Sequence, residues 1–186
     1  RPEKMANPEL KTGAIEMQAE KINLLAVSAP LPFELKEGIN VSLPVALDFR
    51  ALTLRNEKTR AIFKIEEEVV KTFRKTLDKL GFTEVQVPTI VPTATEGGAE
   101  VFKIDYYGKP AFLAQSPQLY KQIMVGVFER VYMLAHAYRA EPSVTTRHLS
   151  EYISLDAEMG FISSWKELMG TCEKVLKFIF AGVEKN

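Results

Sequence analysis

YRAE at positions 138–141, followed by RHL at 147–149 and EYISLD at 151–156, is the stretch that decides the fold of this chain. It places arginines, acids and an aromatic ring around one short polar loop between two strand-like segments. A guanidinium can hold a phosphate through two parallel hydrogen bonds, and an aromatic ring can stack on a base. The pattern predicts a hairpin that binds ATP, and an ordinary hairpin with a charged tip is the alternative.

The second segment of this hairpin has the two-residue period of a half-buried strand. One face is polar, with Tyr152, Ser154, Asp156 and Glu158, and the other is apolar, with Ile153, Leu155, Ala157 and Met159. Residues 131–138 are apolar on both faces, as in a strand at the centre of a sheet. The polar face therefore belongs to a surface or to a cleft, and polar groups beside a central strand indicate a site.

Three helices are predicted around these strands. Apolar residues recur every three or four positions over 58–80, and Gly81 follows as a C-cap. Ser116 as N-cap and Pro117 as first helical residue open a helix through Phe128. A capping box at 164–167 opens a third helix that runs through position 180. A hairpin is expected through 106–110, and the alternation over 14–25 predicts one or two further strands.

The first turn of the middle helix is a candidate anion site. Gln118 and Lys121 are three residues apart and share one face of that turn. A cation there adds to the positive end of the helix dipole, and both effects favour a carboxylate ligand. A solvated surface lysine is the alternative.

Composition describes a soluble globular protein, with 46% hydrophobic and 26% charged residues and a formal net charge of zero. A neutral total offers no global basic field for nucleic acid. Cys172, without a partner for a disulfide or for zinc, indicates a reducing cytosol and is predicted to pack in the core. No apolar run approaches the roughly 20 residues of a membrane span, and no signal-peptide pattern opens the sequence. A cytoplasmic protein is expected.

Four segments in order resemble the class II aminoacyl-tRNA synthetases, in particular the aspartyl/asparaginyl branch of archaeal and eukaryotic type. GFTEVQVP at 81–88 is similar to motif 1, TEGGAEVF at 95–102 to the mobile substrate loop, and QSPQLYKQ at 115–122 to the amino-acid-binding segment. The stretch from 138 to 159 is similar to motif 2. The chain departs from the common IAPxFRAE pattern with LAHAYRAE at 134–141, and a tyrosine before the arginine also occurs in the asparaginyl branch.

The resemblance implies an α+β fold, an antiparallel sheet flanked by helices, as an incomplete class II catalytic domain. Residues 1–36 would be the C-terminal remnant of an anticodon-binding OB domain, contributing the last strands of its barrel. Residues 37–57 would be a hinge, with LDFR at 47–50, and residues 58–186 the N-terminal part of the catalytic domain. Motif 3 is missing from this sequence, so we expect a fragment that does not charge tRNA at a normal rate on its own.

The resemblance also assigns roles to individual residues. Arg139 would hold the α-phosphate and the attacking carboxylate as the catalytic residue. ATP would be bound by Arg139, Glu141, Arg147, His148 and Tyr152, and the amino acid by Glu96, Ser116, Gln118, Lys121 and Asp156. Pro88 would lie at a homodimer interface. The implied cofactors are ATP and Mg²⁺, with no metal ligand expected within this chain, and the implied partners are tRNA and a second subunit, with no membrane.

The function these roles imply is the ATP-dependent activation of aspartate and its transfer to tRNA. A buried Lys121 would complement the carboxylate of aspartate, whereas the amide of asparagine would leave it unpaired at a cost of a few kcal/mol. An asparaginyl-tRNA synthetase or asparagine-forming paralogue is one alternative. A non-catalytic dimeric paralogue is another. Whether the enzyme also charges the tRNA for asparagine is left open, because that depends on anticodon contacts.

Overall fold

The structure, a computed structural model, describes residues 5–35, 38–94, 100–143, 145 and 147–185. Its helices are α1 (Leu43–Asp48), α2 (Arg50–Thr53), α3 (Glu57–Lys79), α4 (Gln118–Phe128) and α5 (Trp165–Lys185). Its strands are β1 (Thr83–Glu84), β2 (Ile90–Val91), β3 (Lys103–Tyr106), β4 (Lys109–Leu113), β5 (Arg130–Tyr138) and β6 (Glu151–Met159). The predicted α+β class is confirmed. Among the helices of these residues, none is long and apolar enough to cross a membrane.

Two three-stranded sheets carry the fold, ordered β1-β5-β6 and β2-β4-β3. The predicted antiparallel hairpin is confirmed, since β5 and β6 pair from Arg130↔Met159 to Tyr138↔Glu151. The first sheet is not wholly antiparallel, because β1 pairs with β5 in parallel through a long connection that contains β2 to β4 and α4. The second sheet joins the end of β5, where the amide of Tyr138 donates to the Ala114 carbonyl at 3.0 Å.

Helices α3 and α5 cover one face of the first sheet. Their core contains Phe73, Leu77, Phe82 and Tyr132, with Val175 and Ile179 of α5 packed against it. The helix predicted over 58–80 is confirmed to within one residue at each end, and Gly81 ends it with a φ of +77°. This left-handed conformation is one that glycine adopts without strain.

Helix α5 runs to Lys185, five residues beyond the predicted end, because its last turns continue to pack along α3. Close packing is visible at Gly182, where a Cβ would lie 2.7 Å from Thr72 Oγ1. The predicted core position of Cys172 is wrong, because its side chain is exposed. The helix touches the core through Val175 and Ile179, and Cys172 lies one turn before them.

The strands predicted over 14–25 do not form, since no strand occurs within the described residues 5–35. Their apolar side chains are exposed, with Met17 at 90%, Ile22 at 87% and Leu25 at 96%. A strand requires a neighbour for its backbone hydrogen bonds, and this segment pairs with no other strand. The last strands of an OB barrel are therefore not seen. The region expected to be a hinge contains the two short helices α1 and α2.

Candidate functional site

The candidate site lies on the face of β5 and β6 opposite α3 and α5. Residues directly across an antiparallel pair share a face, and the register places Tyr152 against Ala137, Ser154 against Ala135 and Asp156 against Met133. The alternation read from the sequence is thereby confirmed. The small side chains of Ala135 and Ala137 leave space above this part of the sheet to Ser154 and Tyr152 of β6.

Helix α4 closes one side of this space. Its cap differs by one residue from the prediction, because Pro117 rather than Ser116 is the N-cap and the helix begins at Gln118. The Ser116 hydroxyl still accepts the Gln118 amide, at 3.3 Å. The chain thus enters α4 with Gln118 and Lys121 facing the polar side of β6.

Lys121 lies at the centre of an ion cluster rather than in solvent. Its side chain is 7% exposed, and Nζ donates to Asp156 Oδ1 at 2.9 Å. The second carboxylate, Glu158 Oε2, lies 3.4 Å from the same ammonium and 3.4 Å from Gln118 Nε2. The formal charge of Lys121, Asp156 and Glu158 is minus one, so the ammonium is paired before any substrate is considered.

Two features of this cluster differ from the sequence-based assignment. Asp156, expected to hold the substrate ammonium, has one oxygen committed to Lys121. Glu158 was not assigned a role, although it contacts both predicted residues of α4. The two-residue alternation already placed Glu158 on the polar face, and that was the available signal.

Arg139 belongs to the same face of the sheet. Its amide donates to the Ser150 carbonyl at 3.0 Å, which extends the β5–β6 ladder by one pair. Because faces alternate along a strand, Arg139 follows Ala137 and Met133 onto the side that carries Asp156. Six residues at about 3.3 Å each put its Cα roughly 20 Å along the strand from Met133. Both ends of an extended ligand would therefore meet a cation.

The surroundings of Arg139 are polar and half-buried. Arg139 Nη1 lies 4.0 Å from Glu141 Oε1, and about one third of each side chain is exposed. Burial, and then the neighbouring Glu151 carboxylate, raise the pKa of Tyr138 above its usual value. The Tyr138 ring therefore stays neutral at physiological pH on the opposite face of the strand.

The loop between β5 and β6 presents the remaining motif residues. Arg147 and His148 are exposed, and His148 Nδ1 lies 2.6 Å from Thr145 Oγ1, which also accepts the Arg147 amide at 3.2 Å. Tyr152 is half-buried on the site face. The register pairs Tyr152 with Ala137, two residues before Arg139, so Tyr152 lies at the Arg139 end of this face.

Two predicted residues stand apart from this cluster. Glu96 lies outside the described residues. Pro88 is exposed and lies in the segment between β1 and β2. Within the described part of the chain, no group of three or more His, Cys, Asp or Glu side chains could hold a metal ion.

Comparison with known proteins relates this chain to a single family. The model of the family described as tRNA synthetases class II (D, K and N) matches residues 42–186. An aspartate–tRNA(Asp/Asn) ligase of Deinococcus radiodurans is 50% identical over 169 residues, which are 90% of this chain and 39% of that protein. An aspartate–tRNA(Asp/Asn) ligase of Sulfurisphaera tokodaii is 45% identical over 172 residues, which are 92% of this chain and 40% of that protein. The chain thus spans about 40% of the length of these relatives.

Solved structures agree with the sequence relatives. The asparaginyl-tRNA synthetase of Pyrococcus horikoshii, in complex with asparaginyl-adenylate, superposes with a TM-score of 0.74 at 35% identity, covering 78% of this chain and 33% of that one. A putative aspartyl-tRNA synthetase of Leishmania major gives a TM-score of 0.75 at 34% identity, covering 84% of this chain and 32% of that one. The likeness extends to both sequence and fold.

Proposed function

The chain belongs to the class II tRNA synthetase family of aspartate, lysine and asparagine enzymes, and from this premise we propose that the protein containing it activates aspartate with ATP and transfers it to tRNA. The observation that carries the proposal is the buried Lys121–Asp156 pair on the face shared with Arg139. Both relatives described above are named aspartate–tRNA(Asp/Asn) ligases, which supports aspartate as the substrate.

In the first step a carboxylate oxygen of aspartate attacks the α-phosphorus of ATP. A bond forms between the carboxylate oxygen and the α-phosphorus. The bond between the α-phosphorus and the oxygen that bridges it to the β-phosphorus breaks, and pyrophosphate leaves. The work of the protein is to hold two anions together and to stabilise the charge on phosphorus. Arg139 stabilises the negative charge at the α-phosphate through two parallel hydrogen bonds from its guanidinium. Glu141 contacts the adenine amino group or the tRNA end, and Tyr152 stacks on the adenine ring.

Arg147 and His148 approach the outer phosphates from the exposed loop, where the Thr145 hydroxyl contacts both residues. Magnesium, when bound with ATP, neutralises phosphate charge and orients the leaving pyrophosphate.

The amino acid is recognised at the Lys121 end. An ammonium has three protons, of which one is donated to Asp156 Oδ1, and Glu158 forms an ion pair with the same group at 3.4 Å. We assign another of these protons to the side-chain carboxylate of aspartate. Lys121 is already paired with Asp156, so binding asparagine would not leave its ammonium unpaired. The free-energy penalty that the sequence predicted for asparagine therefore does not apply. Aspartate is preferred instead because the Lys121 ammonium attracts a charged carboxylate more strongly than the neutral amide of asparagine.

Asp156 then has a double role. One oxygen fixes Lys121, and we assign the other to the ammonium of the substrate. Gln118, held by Glu158, and Ser116 complete the binding of the amino acid, and Glu96 belongs to the loop that closes over it. The net negative charge of Lys121, Asp156 and Glu158 favours the ammonium of the substrate but opposes its carboxylates. A further cation must therefore balance the carboxylate that attacks ATP, and Arg139 is assigned to it.

In the second step a terminal hydroxyl of tRNA attacks the acyl carbonyl of the adenylate, and AMP leaves. The active protein is a cytoplasmic homodimer with Pro88 at its interface. Residues 1–36 belong to the anticodon-binding domain, 37–57 connect it to the catalytic domain, and 58–186 form the first part of that domain.

The test is ATP–pyrophosphate exchange by the complete parent protein, measured with aspartate, asparagine or lysine. We expect exchange with aspartate only, and charging of tRNA with aspartate in the same preparation. Exchange that depends on asparagine instead would refute the proposed substrate. A parent protein that binds tRNA but shows no exchange with any of the three amino acids would support the non-catalytic paralogue.

An asparagine-specific enzyme is the second candidate. It is favoured by the structural match to a synthetase that holds asparaginyl-adenylate and by the tyrosine at position 138 in LAHAYRAE. Thermal protection by asparagine, with no protection by aspartate, would support this candidate over the first.

A further inference from the structure

Tyr132 occupies an unusual place in the core. Its side chain is 1% exposed, and its ring packs edge-on against Phe73 with centroids 5.7 Å apart. The hydroxyl lies 2.8 Å from Asp78 Oδ1 at the end of α3 and 3.1 Å from Glu84 Oε2 on β1. One phenol therefore joins a helix and two strands.

Glu84 is held from its other side. Arg74 Nε lies 3.2 Å from both Glu84 oxygens, and Gln86 Nε2 donates to Oε1 at 3.3 Å. Asp78 lies in the last turn of α3, where the helix dipole disfavours an acid. The hydrogen bond from Tyr132 offsets part of that cost at this exposed acid.

The two carboxylates share a single phenolic proton. Burial, and then the contacts to Asp78 and Glu84, raise the pKa of Tyr132 above its usual value. The hydroxyl thus remains a donor at every physiological pH. Without it, Asp78 and Glu84 would lose the donor that they share, while Arg74 and Gln86 would still donate to Glu84.

This contact lies directly behind the amino-acid site. The carbonyl of Tyr132 accepts the Val85 amide at 3.0 Å, which fixes the same point of β5 to β1. The next residue, Met133, turns to the other face and pairs with Asp156, which holds Lys121. Any shift of β5 at 132 is passed to the Lys121–Asp156 pair, whereas Arg139 lies roughly 20 Å further along the strand.

We propose that Tyr132 is a positioning residue for amino-acid binding: its hydroxyl holds α3 and β1 against β5 and so sets the position of the Lys121–Asp156 pair. The proposal rests on the aspartate-activating function proposed above. Nothing in the fold gives Tyr132 a path to the substrate, because it lies on the opposite face of the sheet.

The test uses the complete parent protein and three variants. Tyr132→Phe removes only the hydroxyl. Asp78→Asn keeps an oxygen that accepts from the phenol. Ile179→Val trims a side chain on α5 that packs against the same core but does not touch the hydroxyl. For each, KM for aspartate, KM for ATP and kcat are measured in pyrophosphate exchange, together with the melting temperature.

We expect Tyr132→Phe to raise KM for aspartate about five- to tenfold, the equivalent of one hydrogen bond, and to leave KM for ATP within about twofold. Asp78→Asn should keep the wild-type KM, and Ile179→Val should lower the melting temperature without changing KM. An equal rise in both KM values, a similar rise in Ile179→Val, or unchanged kinetics in Tyr132→Phe would overturn the proposal.

Failure of the proposed function is distinguishable from failure of this inference. If the wild-type parent shows no aspartate-dependent exchange, the function is wrong and hydrogen exchange at the Val85 amide still tests the contact. That amide should exchange at least about tenfold faster in Tyr132→Phe than in Asp78→Asn. Equal rates would contradict the contact itself.

Discussion

A lysine in the first turn of a helix is opposed by the dipole of that helix, and Lys121 is also buried. Two carboxylates of the neighbouring strand compensate for it, at 2.9 Å and 3.4 Å. Once the ammonium is removed, those carboxylates repel each other in a partly desolvated space. The cluster is therefore expected to matter for stability as well as for recognition.

We expect Lys121→Met to lower the free energy of unfolding by about 2–3 kcal/mol, because it leaves Asp156 and Glu158 without their cation. Urea unfolding at pH 7 measures the change. Adding Glu158→Gln to this variant should recover part of the loss, since one of the two like charges is then removed. A double variant no more stable than the single one would show that repulsion is not the cause.

The phenol of Tyr132 predicts a dependence of stability on alkaline pH. Its pKa is raised in the folded chain, so its contribution is complete below the ordinary tyrosine pKa of about 10 and is lost as the pH rises above that value. Wild-type protein should be more stable than Tyr132→Phe by about 1–3 kcal/mol at pH 7, and the difference should shrink above about pH 10. Urea titrations at pH 7, 9 and 10.5 would reveal it, and a difference that stays constant or grows would contradict the shift.

Residue roles could be predicted only where a local pattern carried them. Alternation along β6 placed Asp156 on the polar face, and the three-residue spacing placed Lys121 beside Gln118. The contact between Tyr132 and Asp78 joins positions 54 residues apart, and no local pattern encodes it. The same is true of the Lys121–Asp156 pair, which depends on how α4 packs on the sheet.

At the scale of elements, α3 and α5 pack closely together at Gly182. A Cβ there would lie 2.7 Å from Thr72 Oγ1, whereas nothing lies within 4 Å of a Cβ at Gly170 in the same helix. Replacing glycine by alanine within a helix stabilises it by about 1 kcal/mol in open space. The crowding at Gly182 should turn this gain in stability into a loss, whereas the gain should remain at Gly170.

We expect Gly170→Ala to raise the free energy of unfolding by about 0.5–1 kcal/mol and Gly182→Ala to lower it by about 1 kcal/mol. In a Thr72→Ala background, which removes the crowding hydroxyl, Gly182→Ala should become neutral or stabilising. Urea unfolding of the two glycine variants and of the Thr72 pair measures these signs. A destabilising Gly182→Ala in both backgrounds would mean that the hydroxyl is not the obstacle.

Elements with a strong local signal were predictable, and those that depend on a neighbour were not. The spacing of apolar residues in α3 and the alternation in β6 gave bounds within a residue or two. The alternation over 14–25 is interrupted at Glu20 and Lys21 and produced no strand, and no strand of the described residues pairs with this segment. Helix α5 extends beyond its predicted end because its last turns pack on α3, and the sequence pattern did not indicate this packing.

At the scale of the whole molecule, several apolar side chains outside the core are exposed. Ile62 and Phe63 on α3 are 61% and 54% exposed, and Ile153 on β6 is 52% exposed. Apolar side chains grouped on elements in this way mark surfaces that other protein covers. The aspartate–tRNA(Asp/Asn) ligase of Deinococcus radiodurans contains further protein beyond the matched part, since this chain matches 39% of its length.

Residues 1–186 expressed alone should therefore catalyse aspartate-dependent pyrophosphate exchange at least about 100-fold more slowly than the complete parent protein, because this chain matches only 39% of the length of the Deinococcus radiodurans relative and lacks whatever groups the rest of the protein brings to the site. Parallel exchange assays at equal protein concentration make the comparison. Equal rates would show that the described cluster suffices by itself.

The central claim is that Lys121 and Arg139 serve one ligand from a shared face of the sheet, and the most direct measurement is a crystal structure of the parent protein with a non-hydrolysable aspartyl-adenylate analogue. We predict that an oxygen of the aspartate side chain lies within hydrogen-bond distance of Lys121 Nζ while the Arg139 guanidinium contacts the phosphate mimic. An analogue bound away from either cation, or contacting only one of them, would contradict the account.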